Sequence, residues 1–344
     1  MVICRTPFRV SFFGGGTDYH AWYKDHGGAF LSTTVNKYCY VMCRQLPPFF
    51  EVKGRISWSK IENINTIDEI DNPVVRECLR FLNFEPRLDI HYHGDLPARS
   101  GLGSSSAFAV GLLHALHAIR SEFVSKSMLA REAITVERDC IGDMVGVQDQ
   151  TAVAHGGLNH CAIDNDGSVT VRPVIAPQHR IADLEQHVML FFTGISRSAA
   201  GVAATKVSGF GDRGREMSRI RELVDEGVNI LHNGRDVTEF GRLLHEGWMM
   251  KRALSSVVST DAIDEAYETA RRAGAIGGKL MGAGGGGFLM IFAPPECHPQ
   301  IVKALDPLLY VPVQFESQGS QIVFYDSESY SRTMETPRMK LVAS

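Results

Sequence analysis

The segment Pro97-Ala98-Arg99-Ser100-Gly101-Leu102-Gly103-Ser104-Ser105-Ser106-Ala107-Phe108 constrains this chain more than any other stretch. Gly101 and Gly103 open backbone angles closed to other residues and let a bulky anion come close. Phe108, Leu112, Leu116 and Ile119 then repeat at helical spacing, so the serines stand where a helix begins. A glycine loop feeding a helix N-terminus presents N–H groups and the positive end of the helix dipole, and phosphate is its natural guest. Ser104 as a plain N-cap accounts for one serine, and three in a row exceed what a cap uses. Arg87–Gly94 reads as a strand that delivers the chain into this loop, giving the order strand, loop, long helix.

Length and composition set the frame around that loop. A chain of 344 residues exceeds the usual single-core size and predicts two domains. With 44% hydrophobic and 22% charged residues and a net charge of -4, it lacks the basic surplus of a nucleic-acid binder. No apolar run reaches the about 18 residues of a membrane span, and Met1–Phe13 lacks the basic-then-apolar order of a signal peptide. Seven scattered cysteines without a C-x-x-C pair fit reduced thiols in a cytoplasmic protein. His91 and His93 alternate on the strand before the loop and fit one solvated face better than a zinc site.

The chain opens with a predicted strand, Val2–Phe13, that stops at Gly14-Gly15-Gly16 before Thr17-Asp18-Tyr19. That triplet reads either as a strand-to-helix turn or, with Arg9 and Asp18 flanking it, as part of a site. Ala29–Gln45 predicts two β-rich runs around Asn36-Lys37, Arg55–Ser59 a further strand, and Asn72-Pro73 a helix start. Lys126–Ile141 predicts a helix carrying Glu137, followed by Gly146-Val147-Gln148-Asp149-Gln150. Glu137 and Asp149 together suit phosphoryl transfer, which uses one carboxylate for Mg²⁺ and often another for the attacking hydroxyl. Asp164–Gly167 signals a hairpin, and the polar Ala176–Glu185 stretch predicts the domain boundary. Beyond it come a strand (His187–Ile195), helices at Arg215–His232, Val237–Met250 and Asp261–Ala273, and a strand at Phe288–Phe292. A helix at His298–Leu305, strands at Tyr310–Glu316 and Gln321–Tyr325, and a polar tail complete the chain. Gly284-Gly285-Gly286-Gly287 exceeds the needs of a turn and points to backbone held against a ligand or another loop.

Several phosphate-handling classes are excluded by pattern. Gly274–Leu280 approaches a Walker A loop, but its glycine spacing is wrong and Leu280 stands where a metal-binding Ser/Thr is needed. The protein-kinase set is missing, and Gly101-x-Gly103 has no third glycine in Rossmann register. The chain instead resembles the GHMP small-molecule kinases through three motifs in family order. These are Thr6–Ser11 with Thr17-Asp18-Tyr19, Pro97–Ala107, and Lys279–Phe288. The glycine triplet and the extra Ser106 are similar to the branch of D-glycero-D-manno-heptose 7-phosphate kinases, with L-fucokinase domains next.

The resemblance implies a two-domain α+β fold: an N-terminal α/β domain (1–185) with a left-handed βαβ phosphate-loop unit, a C-terminal ferredoxin-like α+β domain (186–330), and a polar tail (331–344). It implies that Pro97, Arg99, Ser100, Gly101, Leu102, Gly103, Ser104, Ser105 and Ser106 cradle ATP, and that Ser105 and Glu137 hold Mg²⁺. Asp149, twelve residues after Glu137, and Arg9 match the family's catalytic positions beside the acceptor hydroxyl. Gly14, Gly15, Gly16, Thr17, Asp18 and Gly284, Gly285, Gly286 fall on its substrate side. Gly15-Gly16 replace the Glu-His of galactokinases, which widens the pocket and suits a larger sugar. Asp149 can take the hydroxyl's proton while Arg9 either lowers that hydroxyl's pKa or keeps Asp149 ionised. A phosphate on the acceptor needs a basic residue, first Arg197, then Lys37 and Arg44.

The expected activity is phosphorylation of the anomeric hydroxyl of a sugar phosphate, heptose 7-phosphate to the 1,7-bisphosphate, for nucleotide-activated heptose of capsule or lipopolysaccharide. A hexose or fucose 1-kinase, a catalytically silent nucleotide- and sugar-binding regulator, and a decarboxylase of phosphorylated mevalonate are the other readings. The expected partner is a small molecule, with neither nucleic acid nor membrane; the oligomeric state is left open.

Overall fold

Residues 2–45 form a long antiparallel pair, β1 (Val2–Phe13) and β2 (Gly28–Gln45), joined through the glycine triplet and a short helix α1 (His20–His26). The computed structural model describes residues 1–47, 49–195, 213–254 and 257–326. The break expected at Asn36-Lys37 does not occur. Pro7 faces Tyr38 whereas Phe8 faces Val35, so Asn36 and Lys37 bulge out of a continuous β2 opposite a proline that cannot donate to the ladder. Asn36 bonds instead with Gln314: its N–H donates to the Gln314 carbonyl at 2.9 Å, and its Oδ1 accepts from the Gln314 N–H at 2.8 Å.

Around this pair the first sheet runs β13-β1-β2-β5-β3-β4. Here β3 is Gly54–Ser57, β4 Ile61–Ile64, β5 Leu88–Gly94 and β13 Gln321–Tyr325. The first half of β2 carries β6 (Asn159–Ile163), which is hairpinned to β7 (Val169–Pro173) through the Asp164–Gly167 turn. Helix α2 (Pro73–Phe81) starts as its sequence predicts, with Asn72 Oδ1 accepting from the N–H groups of Val74 and Val75. After β5 comes α3 (Ser104–Ile119), whose Ala107, Ala109, Val110, Leu112, Leu113, Ala115 and Leu116 are wholly buried. An apolar surface on every side marks it as a core helix. Then follow α4 (Lys126–Thr135) and α5 (Gln148–His155). The helix expected through Ile141 gives way after Thr135 to a π-helical turn, Val136–Cys140, which carries Glu137.

Helix α6 (Gln178–Gln186) leads into a second, antiparallel sheet ordered β11-β8-β10-β9. Its strands are β8 (Val188–Phe192), β9 (Gly277–Leu280), β10 (Phe288–Phe292) and β11 (Leu309–Val311). Helices α7 (Gly214–His232), α8 (Val237–Leu254) and α9 (Asp261–Arg272) lie between β8 and β9, and α10 (His298–Ala304) between β10 and β11. The order 4-1-3-2 with these crossings is ferredoxin-like, and the molecule is a two-domain α+β protein.

The segment after α10 does not stay in that second layer. The single strand expected over Tyr310–Glu316 splits at Pro312: β11 stays in the second sheet, while β12 (Phe315–Glu316) pairs with Val35 and Thr34 of β2. β13 then returns to β1, with Val2 opposite Tyr325. Residues 315–325, inside the stretch expected to form the C-terminal domain, thus belong to the first sheet. An aromatic ladder joins the layers further: Phe12 and Phe13 meet Phe240 edge-on at 5.2 and 4.9 Å, and Phe240 meets Phe292 at 5.8 Å.

Phe240 is fully buried at this junction. Replacing it with alanine is expected to destabilise the protein by about 3–5 kcal/mol in urea unfolding. Phe123→Ala, at a residue 97% exposed, should change stability by less than about 0.5 kcal/mol.

Candidate active site

Between β5 and α3 the chain turns through Gly101 and Gly103, with φ of 81° and 75°. Three consecutive carbonyl oxygens of this loop are occupied by protein donors. Ser100 accepts from the Phe288 N–H at 3.0 Å, Gly101 from Arg9 Nη1 at 2.5 Å, and Leu102 from the Arg9 N–H at 3.0 Å. Gly103 stands at the N-cap of α3 with no side chain to cap it. Ser104 does not take that role either, because its Oγ turns back to accept from the Arg99 N–H at 3.1 Å. The other two serines face Glu137: Ser105 Oγ donates to Oε1 at 2.7 Å and Ser106 Oγ to Oε2 at 2.8 Å.

Glu137 is 1% exposed, and Gln150 Nε2 donates a third hydrogen bond to it at 2.6 Å. Burial pushes its carboxyl above the ordinary range, opposed by the bonds from Ser105, Gln150 and Ser106. Among the described residues no cationic side chain forms an ion pair with it. A buried carboxylate held by neutral donors beside an exposed serine hydroxyl is a hard-oxygen set that fits Mg²⁺.

The C-terminal glycine run closes on the same loop. A Cβ on Gly101 would sit 2.7 Å from the Met281 carbonyl oxygen, and one on Gly282 would sit 2.7 Å from the Gly101 Cα. Gly287 packs in the same way, since a Cβ there would sit 2.3 Å from the Ser100 carbonyl oxygen, so part of the run is backbone held against another loop. Lys251 Nζ, from α8, donates to the carbonyls of Leu280 (2.9 Å) and Gly282 (2.7 Å), and Lys279 Nζ to that of Phe12 (2.9 Å).

Against the loop, Arg9 of β1 and Asp149 of α5 form a bidentate pair, Nε to Oδ1 at 2.8 Å and Nη2 to Oδ2 at 2.6 Å. Arg9 is buried (side chain 4% exposed), whereas the Asp149 side chain keeps 31% of its surface open. In the glycine triplet, Thr17 Oγ1 lies 2.9 Å from the carbonyls of both Gly14 and Ala29 and holds the turn itself. Asp18 Oδ1 accepts from the Gly16 N–H at 2.8 Å.

These groups surround one cleft of about 490 Å³ between the domains. Of the residues the sequence singled out, Arg9, Gly15, Gly16, Asp18, Arg99, Gly101, Gly103–Ser106, Glu137, Asp149, Gly284 and Gly286 line it. Pro97, Ser100, Leu102, Gly14, Thr17 and Gly285 do not. Pro97 is exposed, Leu102 is core, and the Gly285 N–H is spent on the Val258 carbonyl at 3.0 Å. Arg197 lies outside the described residues. Arg44 is committed to Asp89 at 2.9 Å, and neither it nor Lys37 lines the cleft. Ser11, Tyr19, Gln148, Gln150, Lys251 and Lys279 also line it without having been picked out from the sequence as site residues. Ser11, Tyr19 and Lys279 stand inside the quoted motifs, and Gln148 and Gln150 flank Asp149; nothing in the pattern signalled Lys251.

Residues 72–157 match the GHMP kinases N terminal domain, and residues 213–305 the GHMP kinases C terminal domain. The chain belongs to the GHMP kinase family, a family of small-molecule kinases. It is 27% identical over 315 residues to the D-glycero-alpha-D-manno-heptose 7-phosphate kinase of Campylobacter jejuni, covering 88% of this chain and 92% of that one. It is 31% identical over 240 residues to a mevalonate kinase of Methanothermobacter thermautotrophicus, covering 67% of this chain and 73% of that one. Among solved structures, a D-glycero-D-manno-heptose 1-phosphate kinase from Bacteroides thetaiotaomicron superposes with a TM-score of 0.77 at 27% identity, over 95% of this chain and 100% of that one. Among the described residues no helix is long and apolar enough to cross a membrane.

A matched pair of variants measures the loop-to-loop contact. Gly101 and Gly142 have φ of 81° and 83°, but a Cβ on Gly142 has nothing within 4 Å. Gly142→Ala should cost about 1 kcal/mol from backbone strain alone. Gly101→Ala should cost at least about 1 kcal/mol more in urea unfolding, because its Cβ meets a backbone carbonyl.

Proposed function

We propose that this protein is an ATP- and Mg²⁺-dependent kinase acting on the anomeric hydroxyl of D-glycero-D-manno-heptose 7-phosphate, with the 1,7-bisphosphate as product. The observation that carries the reading is the Arg9–Asp149 pair, which lines one cleft together with the glycine–serine loop it is bonded to and with Glu137 and Ser105. The similarity to the Campylobacter jejuni heptose 7-phosphate kinase over most of both chains supports the sugar assignment. So does Gly15. A Cβ there would find only Gln148 Oε1, at 3.9 Å, so the backbone tolerates a side chain and its absence keeps cleft volume for a larger acceptor.

In this mechanism the loop residues Gly101–Ser106 bind the nucleotide's phosphates through N–H dipoles and the N-terminus of α3. Magnesium, when bound, neutralises phosphate charge, and Ser105 and Glu137 are the residues that would hold it. Arg9 fixes Asp149 in one orientation by its bidentate bond. Asp149 takes the proton of the acceptor hydroxyl as the new bond to the γ-phosphorus forms and the bond from that phosphorus to the bridging oxygen of ATP breaks, with ADP leaving; the acceptor is held in line by Asp18 and the Gly14–Gly16 turn. Arg197 receives the acceptor's own phosphate.

The deciding experiment is a coupled ADP-release assay over heptose 7-phosphate, fucose, mannose, galactose and mevalonate. Turnover with heptose 7-phosphate above the rest is expected, and preference for fucose or mevalonate would overturn the substrate assignment. Asp149→Asn should lower kcat by about 10²–10⁴-fold with ATP affinity retained, and wild-type-like turnover would remove its role as base. Glu137→Gln should raise the Mg²⁺ concentration needed for half-maximal rate; an unchanged titration speaks against metal binding there. Arg197→Ala should lose activity on the phosphorylated sugar selectively, measured against its unphosphorylated counterpart.

A further inference from the structure

Three buried polar atoms on cleft-lining residues have no hydrogen-bond partner among the described residues: the amide oxygen of Gln150, whose amide nitrogen donates to Glu137, the amide nitrogen of Gln148 and the hydroxyl of Ser11. Gln148 and Ser11, which serve no other group described above, are each only 5% exposed. A polar atom taken out of water without a partner destabilises the folded chain, so a ligand that completes it is the expected compensation. Their positions fall beside the groups already described. Ser11 follows Arg9 by two residues on β1, which sets both on one face of the strand, and Gln148 precedes Asp149 at the start of α5. The Ser11 and Gln148 atoms therefore belong to near neighbours of the Arg9–Asp149 pair in sequence, one on each element that builds it. Gln148 also reaches over Gly15, the triplet position whose missing side chain leaves the cleft open.

We propose that Gln148 and Ser11 are specificity-determining residues that hydrogen-bond neutral hydroxyl groups of the acceptor near the reacting oxygen. This rests on the kinase reading above and adds to it the chemistry that selects the acceptor. Sugar hydroxyls match the pair, since each both donates and accepts: one oxygen accepts from the Gln148 amide while another bonds to the Ser11 hydroxyl. An anionic acceptor group fits this end poorly, because Asp149 adjoins Gln148 and Arg9 is already paired with it, while the other cations of the cleft stand on the glycine–serine loop (Arg99) or bond the carbonyls of Leu280, Gly282 and Phe12 (Lys251 and Lys279). The acceptor accordingly presents its hydroxyl-bearing end here and keeps any phosphate or carboxylate away from it.

The test compares wild type, Gln148→Met and Ser11→Ala in steady-state kinetics with heptose 7-phosphate and ATP, together with melting temperatures of the ligand-free proteins. Each variant should raise the acceptor KM about tenfold and leave the ATP KM unchanged. Gln148→Met, which replaces an unsatisfied amide by an apolar chain of similar volume, should melt no lower than wild type. A melting temperature several degrees lower would assign Gln148 to the fold and overturn the proposal. So would an unchanged acceptor KM in a wild type that turns over heptose 7-phosphate, and the kinase reading would then stand alone. If another sugar in the panel is the better acceptor, the same comparison is made with that sugar and read in the same way. A wild type that turns over mevalonate alone, or nothing in the panel, overturns both.

Discussion

The site depends on the phosphate loop being held by its carbonyl oxygens. Ser100, Gly101 and Leu102 spend theirs on Phe288 and Arg9, so the second domain and the first strand grip the loop from two sides. Peptide dipoles are anchored at their negative ends, and what the loop has left to offer an anion is N–H. The grip also explains the glycines of the distant C-terminal run. Gly282 lies so close to Gly101 that neither tolerates a Cβ, and only bare backbone passes bare backbone at that distance. The two glycine motifs are halves of one seam, and Arg9 stitches that seam to Asp149.

Two carboxylates in the cleft have opposite environments. Glu137 is sunk among neutral donors, two serine hydroxyls and an amide, with burial working against its charge. Asp149 is gripped by a guanidinium and keeps a third of its surface toward the cleft. The contrast is the one expected if Glu137 has the proposed role of holding a cation and Asp149 that of meeting a substrate proton. The π-helical turn at Val136–Cys140 carries the first of them.

Much of this was legible from residues alone where local rules act without competition. The Asn72-Pro73 helix start, the strand–loop–helix around Gly101 and the hairpin at Asp164–Gly167 all follow from caps, glycines and periodicity. The errors arise where a distant partner overrides the local signal. Asn36-Lys37 looks like a turn, yet Pro7 across the ladder and Gln314 from the far end of the chain make it a bulge. Pro312 divides a continuous apolar run between two sheets, and Gly277–Leu280 becomes a strand with no alternation to betray it. In the site, Arg9 and Asp149 stand 140 positions apart, and only a whole-family motif pattern connects them. Lys251 carries no motif, and its place in the cleft depends on how α8 packs against the glycine seam.

The return of β13 to β1 has a consequence for how the chain reaches this state. β1 is made before the other strands described above, and β2 covers one of its edges by residue 45. Its other edge waits until residues 321–325 are made. Throughout synthesis of everything between, an apolar strand of the central sheet exposes an open ladder, a template for pairing with a neighbouring chain. Closure joins residues such as Arg5 and Gln321, 316 positions apart, so completing the first sheet waits on synthesis of the second domain, and pairing at such separation is intrinsically slow.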